Sequence, residues 1–519
     1  MIQKTLDALY YVCRESFKES YAHLKKTDDD KLFLVDALQC EICANTISLC
    51  IELSCDLTNS PAMETNCRSL LEAIILLRMV FRDELDDEQI SNFKHQSALL
   101  FYGNIFETAK NEKDRLLSDD ESDLMMKQID WIVSDYERAL EAYRKRYGEK
   151  LNERAQREAI REGLFFTYKN PSKGKSFTDL FNKYMDDVDP GRLMYKRISF
   201  FAHPWYLESL EDIDLVRRGR FKDIARCLEI VQELYFDKLK ETPGADGAIK
   251  SDLDSLGVHM QRSQRIESIC SELCERCART ASTLPFSSLC FAILRDSLTE
   301  MNILNGLGYP EMALSKFQSV AEFWAMNALL NNADNPKSFA ALHHAFDYST
   351  RVQIHNLGNF ETLPLKSEDV LESAYRNAFQ KPSISFEEYK EKVLGNSLMF
   401  LKSESVERAP GFVDIVRDGM EIAFPPGHES KRKGLILSYL FSIDVHHATG
   451  FCYSENRDCW LLLSHVGLKA IYECIWIFSM LLGLSSDDDN SVSLLCQKLA
   501  QLANEESQEI TSLGLKYPE

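Results

Sequence analysis

The sequence predicts an all-α protein made of two helical bundles in tandem, and three observations carry that expectation. Gly and Pro are scarce, at 21 and 14 in 519 residues. That is well under the roughly 12% of ordinary usage and disfavours folds built on many tight turns or glycine phosphate loops. Apolar residues recur at three- and four-residue steps, and no segment sustains period-two alternation with turn punctuation, so strands are expected to be few. The third observation is an internal repeat. RSLLE, with Arg68 and Glu72, is matched by QSVAE, with Gln318 and Glu322, at an offset of 250. GNIFET at 103–108 is matched by GNFET at 358–362, and SFFAH ending at His203 by SIDVH ending at His446. Three collinear matches read as one tandem duplication whose copies face each other.

The elements follow in chain order. The first twenty residues alternate charged and apolar positions at helical spacing and lack the apolar run and small-residue cleavage site of an export signal. Next come two helices joined by a short polar turn. In the second of these, Cys67, Leu70, Leu71, Ile74, Leu77 and Phe81 form one apolar stripe. The Pro/Gly/Asp/Ser text around 241–258 reads as an exposed linker, so the first bundle is placed at 1–240 and the second at 259–519. The second bundle repeats the helix pair. Its stretch near 365–430, rich in Pro, Ser and Glu, has no evident counterpart and is expected to be an insertion acting as a lid or docking element. Trp460 to Leu484 is the longest apolar stretch, but His465, Lys469 and Glu473 interrupt it, so it is expected to be a buried helix and no membrane contact is expected.

Sixty Lys and Arg against 81 Asp and Glu give a formal charge of −21. Such an acidic surface excludes broad DNA coating, and RNA would need a local basic cleft. Acidic runs at 28–30 and 487–489 read as solvated loops and suit protein partners better. Fifteen scattered Cys, an odd number, fit reduced thiols and a cytoplasmic location. Cys270, Cys274 and Cys277 have the C-x3-C-x2-C spacing of an iron–sulfur site. They lie in a continuous helical pattern, however, where free Cys acts as a small hydrophobe. Cys40 and Cys43 lack a second ligand pair for zinc. In SKGKSF, Lys169 stands where a phosphate loop needs Gly, leaving a basic turn. No cofactor and no metal are expected.

The sharpest candidate site is Tyr195-Lys-Arg197-Ile-Ser199-Phe-Phe-Ala-His203. His203 falls one helical turn after Ser199 on the same face, and Arg197 lies within two turns on nearly that face. Imidazole and guanidinium are the minimum for metal-free RNA cleavage: one moves the proton of the ribose 2′-hydroxyl, the other stabilises phosphoryl charge. A buried His bonded to a neighbouring helix is the ordinary alternative. Arg68 and Glu72 read as a structural pair, with Glu322 as the repeated carboxylate and Ser442 as a further structural polar group.

These residues resemble a family of uncharacterised prokaryotic proteins that carry only a domain-of-unknown-function label. The family pattern runs from two helices with a Gly-containing turn, through an R-S-x-x-E helix, to a late Y-x3-S-x3-H element. Here it is Arg68, Ser69 and Glu72, then Tyr195, Ser199 and His203; the second copy has Ser319 and Glu322, then Tyr439, Ser442 and His446. Such domains are similar to the HEPN class of helical bundles. There an Arg-x4-6-His motif from each of two facing domains builds one ribonuclease site, often in antiphage defence or toxin–antitoxin systems. The resemblance implies two tandem HEPN-like bundles forming a pseudo-dimer and a metal-independent endoribonuclease of bacterial stress or phage defence. His203 would be its general acid/base, Arg197 its phosphate stabiliser, and Ser199, Tyr195 and His446 supporting groups. The second copy departs from the pattern, with Gln318 for Arg68 and Leu440 where Arg197 stands. That departure keeps open a second reading, a non-catalytic helical interaction or sensor subunit with a protein partner.

Overall fold

A computed structural model of the chain describes chiefly residues 2–82, 165–185, 210–279, 285–332, 368–424, 429–481 and 489–513, with short gaps and a few single positions between them. Helices dominate, and the described strands form two short hairpins. The first half opens with α1 (Ile2–Leu24), α2 (Asp30–Ser54) and α3 (Ala62–Arg82), each packed on the next. The acidic run expected to be a solvated loop is exposed and non-helical at Asp28 and Asp29, and its last residue, Asp30, starts α2. The Asp29 carboxylate accepts from the Lys31 and Leu32 amides at 2.8 and 2.9 Å, satisfying donors that a helix start leaves open. Once started, α2 is apolar on nearly every side and is buried through most of its length. On α3 the predicted stripe is buried from Cys67 to Leu77, but Phe81 is 56% exposed in the last turn.

Next come the strands β1 (Phe165–Thr167) and β2 (Asn170–Lys175), an antiparallel hairpin that sets Phe166 opposite Gly174. The expected basic turn at SKGKSF is therefore largely strand, with Gly174 and Lys175 paired in the ladder. Helix α4 (Phe177–Tyr184) follows and packs on α3, as does α5 (Leu210–Leu234) after it. A short α6 (Phe236–Lys240) leads into 241–258, where the exposed linker expected from composition is instead folded and docked. Its helix α7 (Ala248–Ser255) lies on α1, with Ala245, Ile249 and Leu256 buried. Gly247, at φ 80°, precedes that helix with no side chain to cap it, and the Asp7 carboxylate of α1 accepts from the Gly247 and Ile249 amides at 3.1 Å. Asp252 closes the docking, accepting from Arg14 at 2.5 Å and from the Tyr10 hydroxyl at 2.8 Å.

The second half starts again with three helices packed in sequence: α8 (Val258–Arg279), α9 (Pro285–Gly306) and α10 (Pro310–Asn332). Helices α11 (Glu368–Ala378) and α12 (Phe386–Leu394) build a small separate core around Leu371, Tyr375 and Tyr389. Strands β3 (Met399–Lys402) and β4 (Ser405–Arg408) form the second hairpin, followed by α13 (Phe412–Ala423) against α10. This revises the expected insertion near 365–430: its later part repeats the hairpin-then-helix order of 165–185. Contact between α13 and α10 is close enough that a Cβ on Gly419 would fall 2.6 Å from the Ala325 backbone. Helix α14 (Glu429–His446), a 3-10 turn (Phe451–Ser454), α15 (Arg457–Leu481) and α16 (Asp489–Ser512) complete the chain.

One apolar core runs through both halves, taking in Leu9, Ile47 and Leu70 from the first and Leu298, Phe317 and Trp460 from the second. Two segments, Asp30–Ser54 and Trp460–Ile477, are long and apolar enough to cross a membrane, and both are mostly buried in this core.

Candidate functional site

Helix α3 carries Arg68 and Glu72 one turn apart, so both reach the same neighbour. Arg68 Nε donates to Glu72 Oε1 at 2.9 Å, and the Tyr195 hydroxyl donates to the same oxygen at 2.6 Å. Burial raises the Tyr195 pKa, and the Glu72 charge raises it further, so the phenol stays protonated. Burial works against the Arg68 charge, but the adjoining carboxylate more than offsets it and the guanidinium pKa is raised. Helix α10 repeats the arrangement with an amide in place of the guanidinium. Gln318 Nε2 donates to Glu322 Oε1 at 3.1 Å, and the Tyr439 hydroxyl from α14 donates to that oxygen at 3.0 Å. The Tyr439 pKa is likewise driven well up, by burial first and by Glu322 second. Ser442 Oγ donates to the Tyr439 carbonyl at 2.6 Å, within its own helix.

A second polar cluster lies where the halves meet. Ser48, Glu52 and Asn66 from the first half face Glu300 and Lys316 from the second, all buried. Asn66 and Lys316 are 250 residues apart, the offset that relates Arg68 to Gln318, and Lys316 Nζ donates to Asn66 Oδ1. Burial, then the Glu300 charge, pushes the Glu52 pKa well up. Alongside, Ser60 and Ser297 hydroxyls meet at 2.9 Å, and the Asn59 amide donates to Asp296 at 2.8 Å. Sequence reading missed this cluster. Its trace in the text is a few polar residues inside otherwise apolar helices, a pattern that marks partnered burial without naming the partner.

Two further groups tie the seam. Glu41 on α2 is buried and accepts from Asn45 Nδ2 at 2.8 Å; burial raises its pKa to about 8, against the pull of hydrogen bonds from Asn45 and Tyr453. Arg457 of α15 donates to Glu311 at 2.9 Å and lies over the first half's Tyr21 and Phe17 rings, 5.0 and 5.9 Å from their centroids. At the far side, His465 Nδ1 meets Glu506 at 2.5 Å, and Arg262 and Arg265 hold Glu505 at 3.0 and 2.7 Å, fixing α16 to α8 and α15.

Of the residues singled out from the sequence, Arg197, Ser199 and His203 lie outside the described residues. His446 is the last residue of α14, and its side chain is outside them too. Tyr195 joins Arg68 and Glu72 in one set, and Glu322 joins Tyr439 and Gln318 in another. The thiols that mimic a cluster motif lie on helix α8, where Cys270 is buried with its pKa pushed up to about 12 by that burial and Cys274 is partly buried. Among the described residues no group of three or more His, Cys, Asp and Glu is placed to hold a metal ion. No family model, curated protein or solved structure matches the chain.

Proposed function

We propose that the chain is a tandem pair of HEPN-like bundles fused face to face as a pseudo-dimer. In this reading it works in the cytoplasm as a non-catalytic interaction or sensor subunit of a defence or regulatory complex. The observation that carries the reading is the engagement of the hydroxyls in the two matched polar sets. Both tyrosine hydroxyls are spent on a buried carboxylate and Ser442 on a helix carbonyl, so these groups brace helices rather than face a substrate. The acidic balance of −21 fits a protein partner.

The test compares wild type with Arg197→Ala and His203→Ala, in phage-challenged cells for growth and RNA integrity and with purified protein on RNA. Intact RNA and equal behaviour of all three proteins are expected. Metal-independent cleavage by wild type that either substitution abolishes would replace this reading with the ribonuclease one. The ribonuclease reading has its own support: the 3-10 turn that follows His446 rests on α1 and α2, which sets the end of the second copy's histidine-bearing segment toward the first half. In that case RNA would enter a local cleft between the copies.

A further inference from the structure

Where α2, α9 and α10 meet, Glu52, Glu300 and Lys316 are wholly enclosed, with no side-chain exposure at all. Lys316 Nζ stands 3.1 Å from Glu300 Oε1 and 3.9 Å from Glu52 Oε1. Ser48 Oγ donates to Glu300 Oε1 at 2.5 Å, and Asn66 Nδ2 donates to Glu52 Oε1 at 3.1 Å. Every one of these donors points at an Oε1 oxygen. Oε2 of Glu52 and Oε2 of Glu300 are buried without a hydrogen-bond partner. Two carboxylates against one ammonium also leave an uncompensated negative charge, which an enclosed site opposes strongly. The two carboxyl groups flank the same Lys316 ammonium, which stands 3.9 Å or less from both. One proton held between them satisfies the orphaned oxygens and cancels the excess charge together.

We propose that Glu52 and Glu300 share a single proton across the seam and, with Lys316, form a neutral latch that joins the two halves and weakens as that proton is titrated away. The other titratable groups facing the pair are the thiols of Cys50, Cys55 and Cys67, with Glu64 beside Cys67. The folded protein keeps a proton that the unfolded chain releases above the ordinary carboxylate range. The latch is therefore strongest in acid and is lost as pH rises. This inference is independent of the function proposed above.

The test measures the folding equilibrium of the full chain against pH from denaturation midpoints. Glu52→Gln and Glu300→Gln each carry the shared hydrogen permanently as an amide. Relative to either, wild type should lose an additional tenfold in the folding equilibrium for each pH unit above the carboxylate range. Lys316→Asn, which installs the residue found at position 66, removes the ammonium, so the pair must take up a second proton and the decline steepens by a further tenfold per unit. Parallel pH profiles for wild type and both glutamine variants would overturn the proposal, as would a Lys316→Asn profile parallel to wild type. Should these variants fail to fold, infrared spectra of glutamate-labelled protein decide. In a background carrying Glu41→Gln and Glu311→Gln, which removes the other described buried glutamates whose pKa is raised, a protonated carboxyl band persisting at neutral pH supports the latch, and its absence refutes it.

Discussion

The two halves solve the same packing problem with different chemistry. On α3, Glu72 is held by a guanidinium and a phenol; on α10, Glu322 is held by an amide and a phenol. The contrast recurs on the central helices. Gln3 on α1 donates to Ser54 on α2, and Asn302 on α9 pairs with His259 on α8. Apolar positions therefore set where the helices lie. Polar positions vary between the halves, provided their buried hydrogen-bonding groups find partners.

The largest expected effect comes from removing the shared carboxylate. Glu72→Ala strands a largely buried guanidinium and a phenol, and should cost about 3–5 kcal/mol. Glu322→Ala strands the neutral Gln318 and Tyr439 donors among its described partners and should cost about 1–3 kcal/mol. Urea denaturation of the two variants side by side checks this, and equal losses would break the comparison. Next is loss of the phenol. Tyr439→Phe leaves Glu322 with the Gln318 amide among its described donors, and should cost about 1.5–3 kcal/mol. Tyr195→Phe leaves Glu72 its charged partner and should cost about 1 kcal/mol. Adding Arg68→Gln to Tyr195→Phe should bring the first half's loss up to the second's, which sharpens the point that the guanidinium makes the difference.

A smaller effect is read from pH. Glu41, with a folded pKa of about 8, keeps a proton that the unfolded chain gives up at ordinary carboxylate pH. The stability it contributes is full in acid and is lost as pH rises through that folded value. Glu41→Leu, which leaves an apolar side chain in the buried position, removes this decline. Its stability relative to wild type should grow by up to about 1.4 kcal/mol between pH 7 and 8, as measured by denaturation midpoints. A difference that stays constant with pH would mean that Glu41 is ionised in the folded protein.

Fold class was legible because helical periodicity is written directly in residues such as Leu70, Leu71 and Ile74, all buried as the stripe requires. The match of RSLLE with QSVAE was legible as text, and in the structure Glu72 and Glu322 each accept from a tyrosine and from the residue four positions earlier. What escaped is tertiary. Composition made 241–258 an exposed linker, yet the docking there depends on Asp7 and Arg14, more than 230 residues away in sequence. The hairpin of 399–408 followed by α13 was not recognised as a counterpart of 165–184, since a short ladder is specified by backbone pairing and leaves few identities. The Glu52, Glu300 and Lys316 cluster was invisible for the same reason: no local pattern says which buried charges meet. Tyr195 was read as a group supporting a site, but only the fold reveals that its hydroxyl is already engaged by Glu72.

The smallest expected effect separates how the two central helices begin. Helix α2 is capped by Asp29, whose carboxylate also sits at the positive end of the helix dipole, whereas α9 begins at Pro285, a residue suited to a first helical position. Asp29→Ala should cost about 1 kcal/mol, and Asp29→Asn only a few tenths, because the amide oxygen still accepts from the same two backbone amides. Pro285→Ala leaves the folded helix intact and acts through the unfolded chain, costing no more than about 1 kcal/mol. Hydrogen exchange distinguishes the two mechanisms. Loss of the cap should speed exchange at Lys31 and Leu32 specifically, while the Pro285 variant should lower protection only through global unfolding. Unchanged protection at Lys31 and Leu32 in Asp29→Ala would mean that packing along α2, and not its cap, holds the helix start.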